Sequence, residues 1–148
     1  MFKNAIFIIP FILMFASECS SGTQKIAGDP VRIIFDTDLG PDYDDVGALA
    51  FLHAMADSGK AEILATISSN KHELVVPCIN VINTWFGIPD LPTGAPKSPG
   101  VSITGSQHWP DSLVANYPHS IKSTNDAPDA VYTYRKILSS QPDTSVVI

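Results

Sequence analysis

Basic residues are scarce: the 148 residues carry 9 Lys and Arg against 15 Asp and Glu, a formal net charge of -6. So few cations cannot neutralise a phosphate backbone, which argues against nucleic acid as a partner. Cysteine is nearly absent too. Only Cys19 and Cys78 occur, and neither stands beside a set of histidines, so a zinc site of the Cys/His kind is not expected. The chain also lacks a run of about 20 apolar residues, the length a membrane-spanning helix needs; the stretch Ala5 to Ala16 falls well short of it. Internal repeats and low-complexity segments are missing as well. What remains is 45% hydrophobic and 16% charged, the composition of a globular chain with one ordinary core.

The first 22 residues stand apart from that core. Lys3 followed by the apolar run Ala5 to Ala16 has the basic and hydrophobic regions of a secretory signal, which predicts an exported protein. Cys19, followed by Ser20-Ser21-Gly22-Thr23-Gln24, reads equally as the acylated cysteine of a membrane-anchored lipoprotein or as part of a cleaved leader of a periplasmic form. Glu18 and Ala16 depart from the usual lipidation signal. No disulfide is expected, because Cys19 is acylated or removed, and Cys78 lies in an apolar helical pattern that reads as core.

From residue 23 onward the pattern alternates. Val31 to Thr37 has the β-branched and aromatic character of a buried strand, and a helix from about Asp44 to Asp57 follows, with an apolar stripe of Ala48, Leu49, Leu52, Met55 and Ala56. Ala61 to Ser68 reads as a second buried strand. A second helix, with Pro77 in its first turn, carries Ile79, Ile82, Trp85 and Phe86 at helical spacing up to Gly87. Leu91 to Ala127 is dense in Pro and Gly and predicts a long lid or binding loop, with at most a short strand near Thr93 to Ala95. Periodicity returns at Pro128 with Val131, Tyr134, Ile137 and Leu138, and Ser145 to Ile148 opens another strand. Strands separated by helices predict an α/β fold with an open, mainly parallel sheet. The strand opening at Ser145 suggests that residues 23–148 are the amino-terminal part of a longer domain.

The most specific stretch is Asp36-Thr37-Asp38-Leu39-Gly40-Pro41-Asp42-Tyr43-Asp44-Asp45, five carboxylates where the first strand turns into the first helix. Asp36 and Asp38, two apart on extended backbone, share a face. Gly40 permits a sharp turn, and Asp44 and Asp45 fall at a helix start, where free N–H groups favour carboxylates. Such charges repel unless a cation or proton intervenes, and an all-carboxylate set points to a hard ion, calcium or magnesium. Helix capping needs only one of these acids. Asp42 reads as a solvated turn residue or as a member of the set.

Asp36-Thr37-Asp38-Leu39-Gly40, then Asp44-Asp45-Val46-Gly47-Ala48-Leu49, resembles the D-T-D-x-G-x-D-D signature of the inosine-uridine preferring nucleoside hydrolases. Ser68-Ser69-Asn70 is similar to that family's second segment. The resemblance implies a Rossmann-like α/β hydrolase that binds calcium, cleaves the N-glycosidic bond of ribonucleosides to ribose and free base, and serves purine and pyrimidine salvage. By position it assigns Asp38 and Asp45 to calcium, Asp44 to the proton of the attacking water, Asp36 to the sugar site and Asn70 to the ribose. His108 and Trp109, in the long loop, become candidates for contact with the base, although a Trp in such a place more often anchors the loop. His53 reads as packed or at the rim of its helix. The family commonly has one residue between the glycine and the acid pair, whereas Pro41, Asp42 and Tyr43 stand there in this chain. Since the resemblance covers only the family's first half, the chain alone is expected to be inactive; base preference and a homo-oligomeric state are left open.

Two other readings compete. Haloacid-dehalogenase-like phosphatases also place D-x-D after a buried strand, but they expect Thr or Val where Gly40 stands and leave Asp44 and Asp45 unexplained. A calcium-dependent nucleoside- or ribose-binding protein without catalysis would keep the same turn.

Overall fold

The computed structural model describes residues 28–148. The leader and Cys19, on which export or lipid anchoring turns, lie outside the described residues.

The sheet is built around the strand with the most continuous apolar character. In β1 (Val31–Thr37) side chains alternate between two covered faces, Ile34 buried on one and Ile33 with Phe35 half-buried on the other. β1 pairs in parallel with β2 (Ala61–Ser68) from Val31 opposite Ala61 to Thr37 opposite Ser68, with one irregularity between Ile33 and Ile34. β2 pairs in parallel with the two-residue β3 (Thr93–Gly94), and β1 on its other side with β4 (Val146–Val147). The resulting order is β3-β2-β1-β4. Parallel neighbours need crossovers, and these are helical: α1 (Asp44–Asp57), α2 (Val75–Trp85) and α4 (Ala130–Leu138). This is the α/β fold, a four-stranded parallel sheet with flanking helices, that the alternation of strands and helices predicts.

Two layers of helix cover the sheet. On one side Leu49 of α1 and Val75, Cys78, Ile79 and Ile82 of α2 pack with Leu39 and Phe35. Leu52 and Met55 of α1 continue that face over Ile33, Ala61 and Ile63. On the other side Ala130, Tyr134 and Ile137 of α4 lie on Ile34, Ala65 and Ile67. Each fully buried Ile or Leu here contributes about 1.5–3 kcal/mol. Leu49, Leu52, Met55 and Ala56 of the predicted stripe pack inward, but Ala48 is exposed and His53, only 1% exposed, joins the buried face. His53 can be interior because Asn83 Oδ1 lies 3.0 Å from its Nε2 and Phe86 stacks on its ring.

The segment predicted as loop from Leu91 to Ala127 contains two further elements, α3 (Trp109–Asn116) and a 3-10 turn (Thr124–Asp126). Pro110, one of the prolines of that segment, sits in the first turn of α3, where its missing N–H costs nothing. Among the described residues no helix is long and apolar enough to cross a membrane.

Candidate functional site

β2 and β3 extend the sheet to one side of β1, and the chain then returns to place β4 on the other. The strand order therefore reverses at β1, and the crevice at the carboxyl ends of the strands at such a reversal is where open α/β sheets bind ligands. The acid turn begins there, as Asp36 and Thr37 close β1.

Buried Leu39 pins the turn into the core, and Gly40, at φ 144°, takes a conformation other residues rarely adopt. The chain then swings through Pro41, Asp42 and Tyr43 into α1, whose first turn holds Asp44 and Asp45. Thr37, 4% exposed, organises the interior of the turn: its hydroxyl accepts from the Leu39 N–H at 3.0 Å and donates to Asp45 Oδ2 at 2.7 Å.

The predicted acids come together as two pairs. Asp45 lies within hydrogen-bonding reach of Asp38, and its carboxyl is pushed above the ordinary range, first by burial and then by Asp38 and Asp44, against the opposing pull of Thr37. Asp42 and Asp44 form the other pair. Their proximity pushes the Asp42 carboxyl up from its ordinary range and the Asp44 carboxyl down. Asp36 takes a bond from across the sheet, the Tyr134 hydroxyl of α4 donating to its Oδ2 at 2.5 Å.

Among the described residues no group of three or more His, Cys, Asp or Glu is placed to hold a metal ion. Asp38 and Asp45 fit a hard cation in kind, being clustered oxygen donors with charge to neutralise. In number they fall short of the six to eight oxygens calcium takes.

Asn70 has a role different from the expected ribose contact. It is fully buried, and its Nδ2 donates to the carbonyls of Asp38 (3.1 Å) and Ile103 (2.9 Å), while its Oδ1 accepts from the N–H groups of His72 (3.0 Å) and Ile103 (3.0 Å). Two donors and two acceptor positions are all an asparagine amide has, so none is left for a sugar in this arrangement. The side chain instead ties the segment 96–108 onto the acid turn. The Lys71 N–H adds a bond to the Val101 carbonyl at 2.8 Å. Gly105 meets the Gly40 carbonyl so closely that a Cβ there would overlap it.

The loop aromatics divide their labour. Trp109 is half-buried against the cluster of Leu39, Leu49 and Val75, and this packing makes it the anchor of the loop, although its indole N–H has no partner among the described residues. Tyr43 is 53% exposed, its ring centroid 5.6 Å from that of Trp109 and its hydroxyl bonded to Gln107. The accessible aromatic face beside the acids is therefore that of Tyr43. His108, in left-handed conformation at φ 53°, carries an exposed imidazole 3.7 Å from Asp111. Sequence reasoning missed Thr37, Tyr43, Gln107 and Tyr134. Thr37 alone had a signal, as the middle residue of D-T-D.

No protein-family model and no curated protein matches this chain.

Proposed function

We propose that this chain carries the catalytic turn of a calcium-dependent nucleoside hydrolase, which cleaves the N-glycosidic bond of ribonucleosides to ribose and free base. The observation that carries the reading is the placement of a D-T-D-x-G turn and a following Asp-Asp pair at the carboxyl end of β1, where the strand order reverses. Hydrolysis at an anomeric carbon passes through an oxocarbenium-like state, and needs a water deprotonated as it attacks from the far face of the sugar.

Asp38 and Asp45 would hold calcium. When bound, it would lower the pKa of a coordinated water and orient ribose hydroxyls. Asp44, whose carboxyl the neighbouring Asp42 and the helix-start N–H groups hold below the ordinary range, is suited to accept the proton as the water attacks. Asp36 lies near the carboxyl end of β1 and accepts a hydrogen bond there, as a contact with a sugar hydroxyl requires. Asn70 contributes by fixing the Asp38 backbone and the covering segment. Tyr43 offers the stacking face for a base.

The test is release of ribose from inosine and uridine by the natural full-length protein, with calcium and after chelation. Calcium-dependent release is expected. Release of inorganic phosphate from phosphate monoesters in its place would point to a phosphatase, and calcium-dependent binding of nucleoside without cleavage to a binding protein; either result overturns the proposal.

A further inference from the structure

Asp36 is exposed at the end of β1, and a carboxylate in that position would ordinarily sample several rotamers in water. In this chain it does not stand free. Ile34 and Asp36 lie on the same face of β1, and that face is covered by α4. The Tyr134 ring packs with Ile34, Ala65 and Ile67, and its hydroxyl projects from that packed position to Asp36 Oδ2 at 2.5 Å. No other side chain among the described residues bonds to Asp36.

Resting on the reading of the acid turn as a nucleoside-hydrolysing site, we infer that Tyr134 is a positioning residue: its hydroxyl, held by packing on the sheet, fixes the Asp36 carboxylate and leaves Oδ1 directed to a substrate hydroxyl. The arrangement suits the task. A hydrogen bond to an ionised acceptor is short and strong, and the ring that carries the donor is immobilised by the buried face of the sheet rather than by a loop. Burial and the neighbouring Asp36 both raise the Tyr134 phenol well above its ordinary range, so the donor keeps its proton at physiological pH.

The experiment is a double-mutant cycle of Tyr134→Phe and Asp36→Asn in the natural full-length protein, followed by both urea unfolding and ribose release from inosine. Tyr134→Phe keeps the packed ring and removes only the hydroxyl. The expected result is a loss of about 10- to 100-fold in kcat with KM changed by less than about threefold, and little effect of Tyr134→Phe once Asp36→Asn is already in place. The urea midpoints should be non-additive in the same sense. Wild-type kcat in Tyr134→Phe overturns the inference, as does a KM effect without a kcat effect. If the wild type releases no ribose, the proposed function fails, and the unfolding cycle alone decides this inference: non-additive midpoints uphold the held carboxylate and additive ones overturn it.

Discussion

Replacing Asn70 by alanine should undock the segment 96–108 from the acid turn, and the size of the effect follows from what the amide holds. Four hydrogen bonds of 2.9 to 3.1 Å disappear, leaving the Asp38 carbonyl, both backbone groups of Ile103 and the His72 N–H without their partner. A buried polar group stripped of its partner costs about 1–3 kcal/mol. Ile103 is 44% exposed, so water can replace the amide at its two groups once the segment lifts, and the full sum is not realised. A loss of about 2–4 kcal/mol is expected, or roughly 10 °C in Tm for a domain of this size.

Part of that loss is local opening, so two measurements are needed. Urea unfolding followed by far-UV circular dichroism gives the global change, and limited proteolysis reports the release of 96–108. Asn70→Asp sharpens the test. It keeps the acceptor but turns an oxygen toward the carbonyls of Asp38 and Ile103, so it should be at least as damaging as alanine, although it is nearly isosteric. If both variants unfold within about 0.5 kcal/mol of wild type and resist protease equally well, the clamp assigned to Asn70 is wrong.

Gly105→Ala attacks the same contact from the other side: its methyl must displace the Gly40 carbonyl, so the segment should become protease-sensitive even though Asn70 is intact. Asp38→Asn and Asp45→Asn should weaken calcium binding in calorimetry, whereas Asp44→Asn should leave it largely intact and lower turnover by about two to four orders of magnitude. Asp45→Asn should also make the metal-free protein more stable at pH 7. A carboxyl raised in the folded state gives stability that is present below its unfolded pKa and lost as pH rises through the folded one, and an amide removes that loss. A lower Tm for metal-free Asp45→Asn would contradict the assignment. Cys78, whose thiol is pushed up to about 12 by burial, should resist alkylation at pH 8 in the native protein and react readily in urea, as read by peptide mass mapping.

The sheet was legible because its two long strands, Val31 to Thr37 and Ala61 to Ser68, are buried and therefore written as near-continuous apolar runs. α3 was not, because an eight-residue helix opening on Trp109-Pro110, with only Pro110 buried, carries little periodicity. The acids were legible for a chemical reason: a cluster built from one turn has to place its members close together in sequence. What holds them was not. Asn70 meets Ile103 and Tyr134 meets Asp36 across 33 and 98 residues, and until the sheet is assembled Tyr134 looks like any other member of a packing stripe.

The energetics of the turn argue that its charge is there for function and not for folding. Asp45 is ionised less readily than an ordinary aspartate, so keeping its charge at neutral pH costs the folded state free energy that an amide would spare it. The surrounding contacts do not relieve that cost by neutralising it: no Lys or Arg forms an ion pair with these acids among the described residues. They immobilise the carboxylates. The Thr37 hydroxyl holds Asp45, the Tyr134 hydroxyl holds Asp36, and the Asn70 amide holds the Asp38 backbone. A turn selected for stability alone would mix charges or soften them. One that fixes like charges beside each other, at the crevice where the sheet reverses its order, stores repulsion that a bound cation would release, which is why such carboxylates are candidates for a binding or catalytic centre.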